Sequence, residues 1–136
     1  MNMELMTYVS ILVSAIAMFA VGALWYTVLF GKLWQKLMKF SADDMKHMPL
    51  SAMQAMVFGF LSSLVTAYVL NMFVYMWSAV DMGSALSLGF FVWLGFTGPV
   101  ALHTLLWDGK PLKLFLINAG HLLVAVCVGS YILVLL

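Results

Sequence analysis

Six side chains in this chain combine chemical capability with an apolar setting: Trp25, Tyr26, Pro99, His103, Asn118 and His121. Polar groups set in membrane-length apolar stretches are expensive unless bonded or used, so they are the first places to look for function. Asn118 and His121 are three residues apart and share a helical face. At about 1.5 Å per residue they lie roughly 6 Å and 10 Å beyond Leu114. Trp25 and Tyr26 reach a similar depth on an earlier segment, and His103 lies about one turn from the end of another. Together these positions predict one polar pocket opening on the side where the lysines lie. Pro99 has no N–H, so the Gly95 carbonyl loses its helical partner. With Gly95 and Gly98 it predicts a kink or hinge.

The chemistry open to this set is narrow. His103 and His121 could ligate a haem axially, but they sit at unequal depths and are the minimum possible pair. A proton relay through imidazole would want a buried carboxylate beside it, and none is present. Hydrogen bonds between helices, each worth around 1 kcal/mol, are the plainer role. No nucleophile is paired with a base and an orienting acid, and there is no HExxH and no phosphate-cradling glycine loop. Cys127 is the only cysteine, which excludes an internal disulfide and a thiolate metal site. The 12 methionines follow no ligand spacing and suit flexible packing. The expectation is therefore no catalytic residue, no metal and no cofactor.

The elements that position these residues follow from composition. Of 136 residues, 65% are hydrophobic and 8% charged, against about 25% charged in soluble domains. Lipid must be the solvent for most of the chain. Four stretches, 7–30, 52–75, 83–106 and 112–136, carry no charged side chain apart from Lys113 at the very start of the last, and they meet the roughly 20-residue length of a membrane span. Backbone groups in lipid must bond within their own segment, so these are helices. The fold class is an all-α polytopic membrane protein, one domain with four transmembrane helices and a loop at 31–51. Lys32, Lys36, Lys39 and Lys46 lie in that loop, and Lys110 and Lys113 lie in the third connection. Positive loops stay inside, which places both termini outside, in the periplasm or the exterior. The net charge of +1 and the absence of arginine give nucleic acid no footprint.

Finer patterns add expectations. Leu33, Trp34, Leu37 and Phe40 share a face with lysines largely opposite, which predicts a short helix lying among headgroups. Ser41 to Asp44 reads as a helix cap, and Pro49 as the stop after it. Gly59, Ser63 and Ala67, and again Ala125 and Gly129, form small-residue stripes that predict close helix packing. Tyr26-Thr-Val-Leu-Phe30 before Gly31-Lys32 resembles His103-Thr-Leu-Leu-Trp107 before Gly109-Lys110 with one insertion. That suggests two parallel helix hairpins related by a pseudo-twofold.

Gly22-Ala-Leu-Trp-Tyr26, Leu29-Phe-Gly-Lys-Leu-Trp34, Trp93-Leu-Gly-Phe96 with Pro99, and Lys113-Leu-Phe-Leu-Ile-Asn-Ala-Gly-His121 together resemble a family of small bacterial membrane proteins, domain of unknown function 1761. The resemblance spans nearly the whole chain. It implies a four-helix inner-membrane protein, with Trp107-Asp-Gly-Lys110 as the short acidic turn near the end of the third helix, and it implies no activity. His103 and the methionine content stand outside the resemblance.

Two functions fit these observations. One is a non-enzymatic helix-packing protein, working as a homo-oligomer or as an accessory subunit of a membrane complex, with lipid and other membrane chains as partners. The other is a small-molecule transporter or channel that uses the polar pocket on the lysine-bearing side.

Overall fold

The computed structural model describes residues 3–39, 44 and 47–136. Phe40, Ser41 and Lys46 lie outside the described residues, and with Ser41 so does the cap expected at Ser41 to Asp44. Four helices are long and apolar enough to cross a membrane: α1 (Met3–Leu29), α3 (Ala52–Met76), α4 (Met82–Leu106) and α5 (Leu112–Leu135). Between α1 and α3 lies the short helix α2 (Gly31–Met38). There is no strand among the described residues. Lys32 and Lys36 on α2 are exposed while Trp34 and Leu37 are half-buried, as an amphipathic surface helix requires.

The helices start where the sequence supplies caps. Ser51 accepts from the Gln54 N–H at 3.1 Å, and Gln54 Oε1 accepts from the Ser51 N–H at 3.0 Å, closing a capping box on α3. Asp81 does the same for α4 through Ser84. The Ser84 backbone N–H and hydroxyl both donate to that carboxyl and hold its pKa below the ordinary value. Pro111 precedes α5 in an extended conformation, which suits a residue that has no N–H to offer.

α5 is the central helix. It lies along α1 on one side and α4 on another, and more lightly against α3. α3 packs chiefly on α1 and meets α4 at few residues; the rings of Phe73 and Phe96 stack there with centroids 6.4 Å apart. A pseudo-twofold would have repeated the α1–α5 contact as one between α4 and α3. The packing is not symmetric in that way.

Glycines explain why α5 takes the centre. A Cβ at Gly129 would lie 2.6 Å from Met18 Sδ and 3.1 Å from Ser14 Oγ, and Ser14 donates to the Gly129 carbonyl at 3.0 Å. On the other side a Cβ at Gly89 would lie 2.9 Å from Cys127 Cα, so α4 and α5 approach backbone to backbone. The stripe on α3 is used within the chain: Gly59 faces Phe19 on α1, and Ala67 is fully buried. Ile11, Ala15, Met18, Ala67, Leu70 and Val126 fill the space between α1, α3 and α5. Most other large apolar side chains face outward, as a lipid solvent demands.

The Gly89 contact is with backbone, which cannot swing aside. Gly89→Ala is expected to destabilise by about 1–3 kcal/mol through overpacking. Gly95→Ala, where nothing lies within 4 Å of the new methyl, leaves stability unchanged or raised. Thermal unfolding of both variants in detergent checks the contrast.

Candidate functional site

Two of the four spanning helices contain a π turn, over Trp25–Leu29 in α1 and over Trp93–Thr97 in α4. Each begins with a tryptophan whose carbonyl accepts from the N–H five residues on: Phe30 onto Trp25 at 2.8 Å, and Gly98 onto Trp93. Each also needs a glycine just beyond it. A Cβ at Gly31 would lie 2.7 Å from the Tyr26 oxygen, and one at Gly98 would lie 2.9 Å from the Trp93 oxygen. The hinge expected from Gly95, Gly98 and Pro99 thus takes the form of a π turn that ends just before the proline.

Both tryptophans reach α5. Trp25 Nε1 donates to the Ile117 carbonyl at 2.9 Å, and Trp93 Nε1 donates to the Ala119 carbonyl at 2.8 Å. These carbonyls are two residues apart, on nearly opposite sides of a helix that turns every 3.6 residues. Asn118 lies between them. Gly120 leaves room for the Trp25 ring, since a Cβ there would lie 3.1 Å from Trp25 Cζ2.

Around Asn118 the polar cluster closes. The Tyr26 hydroxyl donates to Asn118 Oδ1 at 2.7 Å. The His121 ring meets Tyr26 edge to face at 5.1 Å and Trp25 at 6.4 Å. Gly22 admits the imidazole, because a Cβ there would lie 3.0 Å from His121 Nε2. Tyr26 also meets Trp34 of α2 edge to face at 5.9 Å. Trp25, Tyr26, Asn118 and His121 are therefore brought together. Pro99 and His103 are not: both are exposed on α4, and Thr104 rather than His103 lines the cavity beside the cluster.

That cavity has a volume of about 380 Å³ and opens at the lysine-bearing end. Tyr26, Trp34 and Met38 form one wall, Thr104, Asp108 and Lys110 the other, with Leu114 and Asn118 as the floor. With its oxygen taken by Tyr26, the Asn118 amide has both Nδ2 hydrogens left to donate, and no acceptor among the described residues takes them. Lys110 and Asp108 bring charge of both signs to the rim. Among the described residues no three His, Cys, Asp or Glu side chains are grouped to hold a metal ion.

A second cavity, of about 710 Å³, lies at the other end, between the first turns of α1 and the last turns of α3 and α5. Sequence reasoning passed over it. The signal was Thr7, Ser10 and Asn71, uncharged polar residues in or beside apolar runs.

If the indole bonds hold α5 in place, removing either donor costs stability even though the ring is largely conserved in size. Trp25→Phe and Trp93→Phe are each expected to lower unfolding stability by about 1 kcal/mol. Trp107→Phe, at an exposed indole, stays within about 0.5 kcal/mol. Chemical or thermal denaturation in one detergent gives all three values.

No curated protein and no solved structure matches the chain. A family model does, over residues 9–134. That stretch holds the two tryptophan-led turns, the Tyr26–Asn118 pair and all of the spanning helices but their outermost ends, and the chain belongs to the family described as protein of unknown function, DUF1761.

Proposed function

We propose that this is a multi-pass protein of the bacterial inner membrane that binds a small polar molecule in the cavity above Asn118, as the loading site of a transporter or channel. The lysine-bearing loops face the cytoplasm and both termini face the periplasm, following the positive-inside rule. One observation carries the reading. Tyr26 fixes the Asn118 amide by its oxygen, so its unpaired N–H donors are held at the floor of an open cavity. An amide oriented in this way is ready to meet an acceptor group on a ligand. The aromatic faces of Tyr26 and Trp34 offer apolar contact, and Lys110 and Asp108 at the rim can steer charge. The cavity's volume falls within the roughly 300–1,000 Å³ of small-molecule sites.

Flux of a panel of small polar solutes into vesicles carrying the purified protein tests this. Asn118→Leu is expected to abolish uptake of the responsive solute. Tyr26→Phe, which frees the amide to rotate, is expected to weaken it roughly tenfold, equivalent to about 1.4 kcal/mol. Uptake unaltered by both substitutions rejects the site.

A second reading, association with a like chain or with a larger membrane complex, is favoured by α3. This helix has one main neighbour, α1, and its Met53, Phe58 and Val65 side chains stand more than half exposed. The small-residue stripes do not add to it, because α1 already packs on the glycine of each. Native mass spectrometry from mild detergent is expected to give a dimer or larger particle under this reading, and a monomer without co-purifying chains removes it.

A further inference from the structure

The larger cavity, at the end away from the lysines, has a chemical character of its own. Thr7 and Ser10 of α1, Asn71 and Tyr75 of α3, and Ser78 beyond α3 supply its polar lining, and Leu133 and Val134 of α5 supply apolar wall. Among the described residues no charged side chain lines it. The Thr7 and Ser10 hydroxyls donate to carbonyls of their own helix, Met3 at 3.0 Å and Met6 at 2.8 Å. Their oxygens keep lone pairs for a visitor.

Asn71 is the central group. It is half-buried on α3, five residues before the helix ends at Met76, or about 7.5 Å along the axis. Its amide makes no hydrogen bond to another described residue, and it borders the open space of the cavity. In an apolar setting such an amide gains by meeting a partner, and the cavity is where a partner can reach it. The amide offers two donors and an acceptor, the hydroxyls offer acceptors, and no ion pair is available to compensate a charge.

We infer that the end of the bundle away from the lysines carries a second binding site, built on Asn71, for a small uncharged molecule that both donates and accepts hydrogen bonds, of the amide or polyol class. The site is separate from the one above Asn118. Ser14 and Met18 on α1, and Val126 and Gly129 on α5, lie between the two along the helices, and all are buried. The inference stands whether or not the Asn118 cavity binds a ligand.

The chain has three asparagines, Asn2, Asn71 and Asn118, so ¹⁵N-asparagine labelling gives three side-chain NH₂ signals. Asn71→Leu identifies one of them, and Asn118→Leu another. Titrating the wild-type protein in lipid nanodiscs with acetamide is expected to shift the Asn71 signal saturably. Acetate, of the same size but charged, is expected to leave that signal unmoved. A shift that fails to saturate means the cavity holds only exchanging solvent, and overturns the site. An equal response to acetate overturns the ligand class. The Asn118 signal in the same spectra reports the other cavity separately, so failure at one site is not mistaken for failure at the other.

Discussion

Two indole N–H groups bonded to backbone carbonyls of α5 set much of what this protein looks like. Trp25 and Trp93 come from different helices, yet each opens a π turn and each reaches a carbonyl beside Asn118. In lipid no water competes for these bonds, and an indole left unbonded would have few other partners. The α5 carbonyls already serve their own helix, but a carbonyl oxygen has a second lone pair to give. The arrangement therefore ties α1 and α4 to α5 without unwinding α5. It also fixes the rotation of α5 about its axis, and with it the direction in which Asn118 points.

Both walls of the Asn118 cavity follow from these turns. After the π turn in α1 the chain passes through Phe30 and Gly31 into α2, which carries Trp34 and Met38. After the π turn in α4 it runs on to Thr104, Asp108 and Lys110. A π turn holds an extra residue, so it rotates everything after it relative to everything before. The last stretches of α1 and α4 thus aim differently from the helices that carry them. The glycines at 31 and 98 are what permit the tight approach to the preceding carbonyls.

The fold class was legible because lipid imposes a simple rule: long uncharged apolar runs become helices. Four of the six residues named for the candidate site were legible as a group too. Depth arithmetic placed Trp25, Tyr26, Asn118 and His121 at one level, and they do meet. His103 shows where that arithmetic stops. It has a suitable depth, but each residue turns a helix by about 100°, and depth says nothing of direction. Thr104, one residue on, lines the cavity instead. The resemblance between the segments ending at Phe30 and Trp107 likewise carried no information on packing. Which helix becomes central is decided by close backbone approach, and Gly89 and Gly129 both bring their neighbours to α5. The cap on α3 is written in the sequence just beyond Pro49, as a serine at 51 with a glutamine three residues on.

The same close packing separates the two cavities. Between Ser10 and Tyr26 on α1, and between Asn118 and Leu133 on α5, the helices touch through Ser14, Met18 and Gly129, with the Ser14 hydroxyl bonded to the Gly129 carbonyl. A side chain larger than glycine at 129 would force the helices apart at that level. With glycine the two helices close on each other, Ser14, Met18, Val126 and Gly129 are buried, and the polar linings of the two cavities stay apart along the bundle. The indole bond of Trp25 lies on the lysine-bearing side of that contact, so it ties α1 to α5 at one end only. A buried middle between two polar-lined ends, one of them tied by an indole bond, makes the two cavities separate features of the fold.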